Sequence, residues 1–212
     1  MLTVTISRQF GSGGAYFGKR LAKRLGFKYA DHGILLLAAK RLGVQAQDLA
    51  GKEETVSGFW EDLFQAFSAG VPDAGYYAPP PKEMVGDAEF QEVEARIISG
   101  IHSRHSAVIM GRAGFSILGG RPDVLNVFLY APEEFRVRRV MELYKVRGRK
   151  TALSLIAEKD AQRTKFIETV TGRTWTDARN FHLCLDTAQA GFDLAEEMVV
   201  KMVKTLSAGV KP

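Results

Sequence analysis

Near the start of the chain, apolar Leu2, Val4 and Ile6 alternate with Thr3, Thr5 and Ser7, the two-residue period of a strand. The period then changes. After the turn-rich segment Arg8-Gln9-Phe10-Gly11-Ser12-Gly13-Gly14, apolar Phe17, Leu21, Ala22 and Leu25 recur at helical spacing, with Lys19, Arg20, Lys23 and Arg24 on the outer side and Gly26 as the stop. The pattern predicts a strand, a glycine loop and a helix. A short strand over 27–30 follows, and Asp31 precedes an apolar helical stretch over 34–42 that Gly43 ends. Further strands are predicted at 107–110, 124–130 and 181–185. Helical patterns lie between and after them: 88–101 behind a cap at Asp87, 133–144 behind Pro132, 152–167 behind Thr151, and 194–206. Strands alternating with helices imply an α/β fold whose parallel sheet is covered on both faces.

One region breaks the pattern. Pro72, Pro79, Pro80 and Pro81 fall beside Gly70, Gly75, Tyr76 and Tyr77, behind an amphipathic segment over 59–67, so residues 50–86 read as an insertion on the sheet. The remainder fits one domain: a core of 1–49, 87–132 and 166–212, and a basic region of 133–165. The 212 residues, 46% hydrophobic and 25% charged, match an ordinary globular chain and exclude disorder, collagen and coiled coil. Cys184 is the only cysteine, which excludes an intrachain disulfide and a thiolate-based structural zinc site. No apolar run approaches the ~18 residues of a membrane span, and the alternating N-terminus is unlike a signal peptide. A cytoplasmic location without membrane contact is expected.

The net charge of +5 invites a nucleic-acid reading until it is divided along the chain. Residues 1–50 hold eight cations against two carboxylates, residues 51–100 three against ten, and residues 133–165 ten against five. Two basic blocks flank an acidic stretch, with no basic run interleaved with aromatic residues.

Successive glycines at a helix N-terminus let backbone N–H groups converge on an anion, where the helix dipole adds positive charge. Phosphate is the natural guest of Gly11, Ser12, Gly13, Gly14, Ala15 and Tyr16. A literal Walker match, Gly13-x-x-x-x-Gly18-Lys19, puts the lysine about five residues into the helix, turned ~140° from position 14, and is a decoy. The frame set by the strand end puts Arg8 at the first glycine of that pattern, Gly14 at its lysine, and Ala15 or Tyr16 at its Ser or Thr. The cradle is kept and its lysine is lost. Arg8 is the candidate substitute, because its fork binds phosphate bidentately.

Arg112 follows a strand end in Met110-Gly111-Arg112, where open α/β sheets bind ligands. It reads either as a phosphate clamp or as a loop arginine paired to a carboxylate. In the basic region, Arg138 lies four residues from both Glu134 and Glu142 and reads as self-neutralised, whereas Arg136 and Arg139 lack obvious partners. Arg147 and Arg149 flank Gly148 in a turn between two basic helices, which suits a lid over phosphates. In the second of those helices Leu153, Ile156, Ala157, Asp160, Thr164 and Ile167 form one stripe, and Arg163 is in reach of Asp160, either to be aimed at a phosphoryl group or as a structural ion pair. Asp31 reads as a cap of the following helix, Asp186 caps the last helix, and Trp175 lies under the lid or in the core. His102 and His105 read as a surface pair.

Ile6-Ser7-Arg8-Gln9-Phe10-Gly11-Ser12-Gly13-Gly14, Gly111-Arg112-Ala113, the run over 127–132, Asp160-x-x-Arg163, Thr171-Gly172-x-x-Trp175, Asn180-Phe181-x-Leu183 and Asp186-Thr187 together resemble the cytidylate-kinase-like family of P-loop proteins. The resemblance spans nearly all the chain outside residues 50–90. It implies a three-layer P-loop kinase fold with a five-stranded parallel sheet, a nucleoside-monophosphate-binding insertion and an arginine-bearing lid. It also implies ATP with Mg²⁺ as donor, held by the loop and Arg8, an acceptor met by Asp31 and Arg112, and catalysis by Arg136, Arg139, Asp160 and Arg163. The sequence singles out no Mg²⁺ ligand, acceptor or oligomeric state. Without the Walker lysine, a rival expectation is a nucleotide-binding regulatory module. Nucleic-acid binding ranks last, since a triphosphate accounts better for the cations.

Overall fold

The computed structural model describes residues 1–31, 33 and 88–209. The expected helix over 34–42, the insertion over 50–86 and the cap at Asp87 fall outside them. Five strands form one parallel sheet in the order β2-β3-β1-β4-β5: β1 Thr3–Arg8, β2 Lys28–Ala30, β3 Ala107–Met110, β4 Val124–Tyr130 and β5 Leu183–Asp186. Ile6 lies level with Met110 of β3, and Arg8 with Leu129 of β4. The central strand therefore ends between its neighbours at the C-terminal edge of the sheet.

Both faces are covered. Val4 and Ile6 join Val108, Met110, Val127 and Leu129 against α1 (Gly14–Leu25) and α6 (Thr187–Ser207). The opposite face turns Thr3, Thr5 and Phe128 toward the side of α2 (Ala88–Arg104), α3 (Gly114–Ile117) and α5 (Arg149–Thr171), where Phe115, Phe128, Ile167 and Trp175 form a second cluster. This places Trp175 in the core, its ring edge-on to Phe128 at 5.7 Å. Burial on both faces is what makes the central strands nearly continuous apolar runs.

The remaining helix, α4 (Glu133–Leu143), packs on α5 as a hairpin. Gly148, in a conformation with φ 91°, precedes α5, so the helix begins at Arg149, two residues before the expected cap at Thr151, and runs on to Thr171. Its buried positions are Ala152, Ile156, Lys159 and Ile167; Ala157, expected on that stripe, is exposed. Strand β5 starts at Leu183 rather than Phe181; just before it, His182 donates its N–H to Asn126 O at 2.8 Å while its ring accepts the Asn126 N–H at 2.9 Å. Two elements have no signal in the sequence pattern, α3 and a 3₁₀ turn at Ala178–Asn180, both shorter than a helical period can reveal. His102, expected at the surface, is 4% exposed. No described helix is long and apolar enough to cross a membrane.

Candidate functional site

The loop between β1 and α1 is fixed by its own backbone. Gln9 N–H donates to Leu129 O at 3.0 Å, and the Gln9 side chain accepts from Ala131 N–H, pinning the loop to the end of β4. Ser12 is fully buried, donates its hydroxyl to Gln9 O at 2.9 Å, and offers its own carbonyl to the Thr187 hydroxyl at 2.8 Å. Gly13 caps α1 at φ 85°, a left-handed position that glycine occupies without penalty. The first N–H groups of α1, at Gly14, Ala15 and Tyr16, have no helical acceptor and face an anion's place.

Arg8 crosses this mouth. A Cβ placed on Gly14 would stand 2.5 Å from Arg8 Cγ, and one on Gly111 would meet the Arg8 guanidinium. The side chain of Arg8 thus occupies the room that a lysine at position 14 would need. Among the described residues Arg8 has neither a hydrogen bond nor an ion pair. Gly18, the second glycine of the literal Walker match, lies inside α1 instead, where a Cβ would stand 2.5 Å from Met110 Sδ. It serves close packing of helix on strand, and Lys19 lies on the helix away from the loop.

The arginines of the hairpin divide into two kinds. Asp160 Oδ2 accepts from Arg136 Nη1 at 2.5 Å and Oδ1 from Arg163 Nη1 at 3.1 Å, while Oδ1 also accepts the Phe10 N–H of the loop at 2.7 Å. One carboxylate gathers two cations against the phosphate loop. Among the described residues Arg139 forms no ion pair; it stacks 5.1 Å from the Phe192 ring and 5.7 Å from Phe135, its Nε is buried without a hydrogen-bond partner among them, and a Cβ on Gly13 would reach its guanidinium at 3.4 Å. Phe192 follows Gly191, whose φ of 69° kinks α6, and its ring lies against Gly13 and edge-on to Tyr16 at 5.2 Å. Tyr16 in turn accepts from Arg20. The self-neutralised pairing expected around Arg138 is not the one formed by Glu134, which binds Arg149 across the hairpin turn.

Beyond β3, Gly111, Arg112 and Ala113 run consecutively through the left-handed region at φ 72°, 54° and 56°. Each of the two non-glycine residues costs about 1–2 kcal/mol there. What holds the turn is Arg112, which donates through both Nε and Nη2 to the two oxygens of Glu94 and stacks 4.4 Å from the Phe166 ring. Glu94 is 2% exposed, and burial pushes its carboxyl above the ordinary range against the opposing pull of Arg112. Of the two sequence readings of Arg112, the paired loop arginine describes this geometry. Asp31, after β2, accepts the Gly33 N–H at 3.0 Å, and the Tyr29 hydroxyl is buried near both Asp31 and Arg8, pushed up by burial and then by Asp31. Asp186 caps α6 by accepting from Ala188 and Gln189.

Of the residues expected from sequence spacing, the structure brings Arg8, Asp160 and Arg163 to the loop. Spacing gave no role to Glu94, Phe10, Phe192 or Thr187, whose partners lie far away in the chain. Among the described residues no three His, Cys, Asp or Glu side chains gather as a metal site.

The sequence profile of the cytidylate kinase-like family matches residues 3–189. Among solved structures, an uncharacterized protein from Eubacterium ventriosum is similar at 20% identity and TM-score 0.69, over 97% of this chain and 99% of that one. A gluconokinase from Sinorhizobium meliloti aligns at 14% identity and TM-score 0.51 over 99% and 98%, and a shikimate kinase from Bacteroides thetaiotaomicron at 12% and 0.51 over 96% and 98%. These likenesses establish the fold, a P-loop kinase α/β architecture. No curated protein matches the sequence.

Proposed function

This chain belongs to the cytidylate kinase-like family, and on that premise we propose that it transfers a phosphoryl group from ATP to a nucleoside monophosphate or a similar small acceptor. The observation that carries the reading is Arg8: a guanidinium with no hydrogen bond or ion pair among the described residues, laid across Gly14 at the mouth of a glycine loop, where the P-loop lysine would reach. Phosphoryl transfer needs positioning and charge neutralisation more than a nucleophile, so arginines and backbone amides can supply most of it.

In this reading the N–H groups at the start of α1 hold the donor phosphates and Arg8 neutralises them. Arg136 and Arg163, gathered by Asp160, face the transferring group, and Arg139 flanks Gly13 on the other side of the loop. Arg112 meets the acceptor's anion by exchanging one oxygen of Glu94 for it, and Asp31 lies on the acceptor side at the end of β2. Mg²⁺ bound with ATP would neutralise phosphate charge, and with Ala15 and Tyr16 at the Ser or Thr position it would draw on phosphate oxygens and water rather than on a loop hydroxyl.

The test is ATP consumption across a panel of nucleoside monophosphates, gluconate, shikimate and other small hydroxylated metabolites, with the thermal shift by ATP measured in parallel. ADP formation with one acceptor, CMP or a relative foremost, is expected. A thermal shift without turnover on any acceptor would instead establish a nucleotide-binding regulatory module, and absence of both would overturn nucleotide binding.

A further inference from the structure

Phe10 belongs to the glycine loop by sequence and to the helix hairpin by packing. Its ring is 4% exposed and sits in one cluster with Val137 and Val140 of α4 and Ala152 and Ile156 of α5. Tyr144 closes on it with ring centroids 5.1 Å apart, and the Arg163 guanidinium stands 5.4 Å from its centre. Both of its backbone polar groups are also engaged by the hairpin: the N–H donates to Asp160 Oδ1 at 2.7 Å, and the carbonyl accepts from Arg136 Nη1 at 3.3 Å.

The chain after Phe10 is the glycine-rich run Gly11-Ser12-Gly13-Gly14, so the buried ring at residue 10 adds to the Gln9 and Ser12 hydrogen bonds in holding the polar groups of that residue at a fixed place. Gly11 reinforces the contact from the other side, since a Cβ there would stand 2.9 Å from Arg136 Cβ.

We propose that Phe10 is a positioning residue for phosphoryl transfer: by plugging the α4–α5 hairpin onto the phosphate loop, it presets Arg136 and Arg163 against the phosphates that the loop holds. This rests on the kinase reading above. The loop and the catalytic arginines then form one unit before nucleotide arrives, and misplacement of that unit costs rate rather than binding, because the anion-binding N–H groups lie on α1.

The experiment compares Phe10→Ala and Phe10→Leu with wild type. Phe10→Ala is expected to lower kcat roughly a hundredfold with KM for ATP within about threefold of wild type, and Phe10→Leu, which keeps most of the plug, to lower kcat only about fivefold. Raised KM with unchanged kcat, or no change in either, overturns the proposal. Should Phe10→Ala fail to fold, the leucine variant carries the same split on its smaller scale. Amide hydrogen exchange without nucleotide gives a second readout: 133–143 and 149–171 should exchange faster in Phe10→Leu while the sheet is unchanged. Identical exchange overturns the anchoring. If wild type turns over no acceptor, the kinase reading fails, and the exchange measurement still decides whether Phe10 fastens the hairpin.

Discussion

The two ends of the sheet use buried polar groups in opposite ways. At the N-terminal end, the Thr3 hydroxyl hydrogen-bonds to His102 Nδ1 at 2.9 Å, His102 Nε2 approaches Asp123 Oδ2 at 3.4 Å, and the Leu2 N–H donates to the Ser106 hydroxyl. Each of these groups finds its partner inside the protein. At the C-terminal end, Arg8 has no partner among the described residues and Arg139 has only aromatic faces, while Asp160 draws Arg136 and Arg163 into one place. Satisfied polar groups at one end stabilise the fold; unsatisfied or like-charged groups at the other cost stability, which fits the phosphate site proposed there. The same contrast separates Arg112, bound to Glu94 through two of its nitrogens, from Arg8.

Substitutions at the two ends should therefore fail in different assays. The largest effect is expected for Arg163→Ala, a loss of turnover of roughly a thousandfold with ATP affinity nearly intact, as for removal of an arginine that stabilises transferring phosphoryl charge. Steady-state kinetics beside calorimetric ATP titration checks it, and unchanged turnover would reject the placement of Arg163 at the transferring group. Next comes Arg8→Ala, which should weaken ATP binding roughly 10- to 100-fold, the worth of charged hydrogen bonds. Gly14→Lys on the wild-type background should not strengthen binding, because its side chain must displace that of Arg8; the double variant Arg8→Gly, Gly14→Lys should recover much of the affinity lost in Arg8→Ala. Normal binding by Arg8→Ala would show that another group neutralises the phosphates.

At the opposite end, Thr3→Val should lower stability by about 1–3 kcal/mol, the cost of leaving a buried imidazole nitrogen unpaired, with ATP binding unchanged. Chemical denaturation measures it, and a loss of ATP affinity would erase the distinction between the two ends. The smallest effect is a pH dependence. Burial holds the His102 imidazole below its ordinary value, with Asp123 opposing. The folded state therefore binds fewer protons at this site than the unfolded state, so stability falls as pH drops through the ordinary histidine range near ~6.5 toward the depressed folded value. His102→Gln should flatten the change in denaturation midpoint between pH 7 and pH 5; an equally steep change in the variant would assign it to other groups.

Much of the architecture was legible because it is written locally. Alternation from Leu2 to Ser7 gave β1, the i, i+4 spacing of Phe17 and Leu21 with Gly26 behind them gave α1 and its end, and the strand-end frame located the loop with Arg8 and no lysine. Asp160 and Arg163, three apart, could be paired by helix geometry alone. Short elements such as α3 left no period to read, and Thr151 looked like a cap because cap chemistry and the true start at Gly148 lie within a few residues of each other.

By itself, then, the sequence determined the order of strands and helices, the glycine loop and the cations near it, since each depends on neighbours a few positions away. The tertiary structure alone decided which cations are free. Glu94 lies 18 residues from Arg112, Asp160 lies 24 from Arg136, and Phe10 lies 150 from Asp160. A charge is neutral or available according to what packs against it, and helices distant along the chain are brought together by burial of their apolar faces, which specifies faces but not the polar pairs that ride on them.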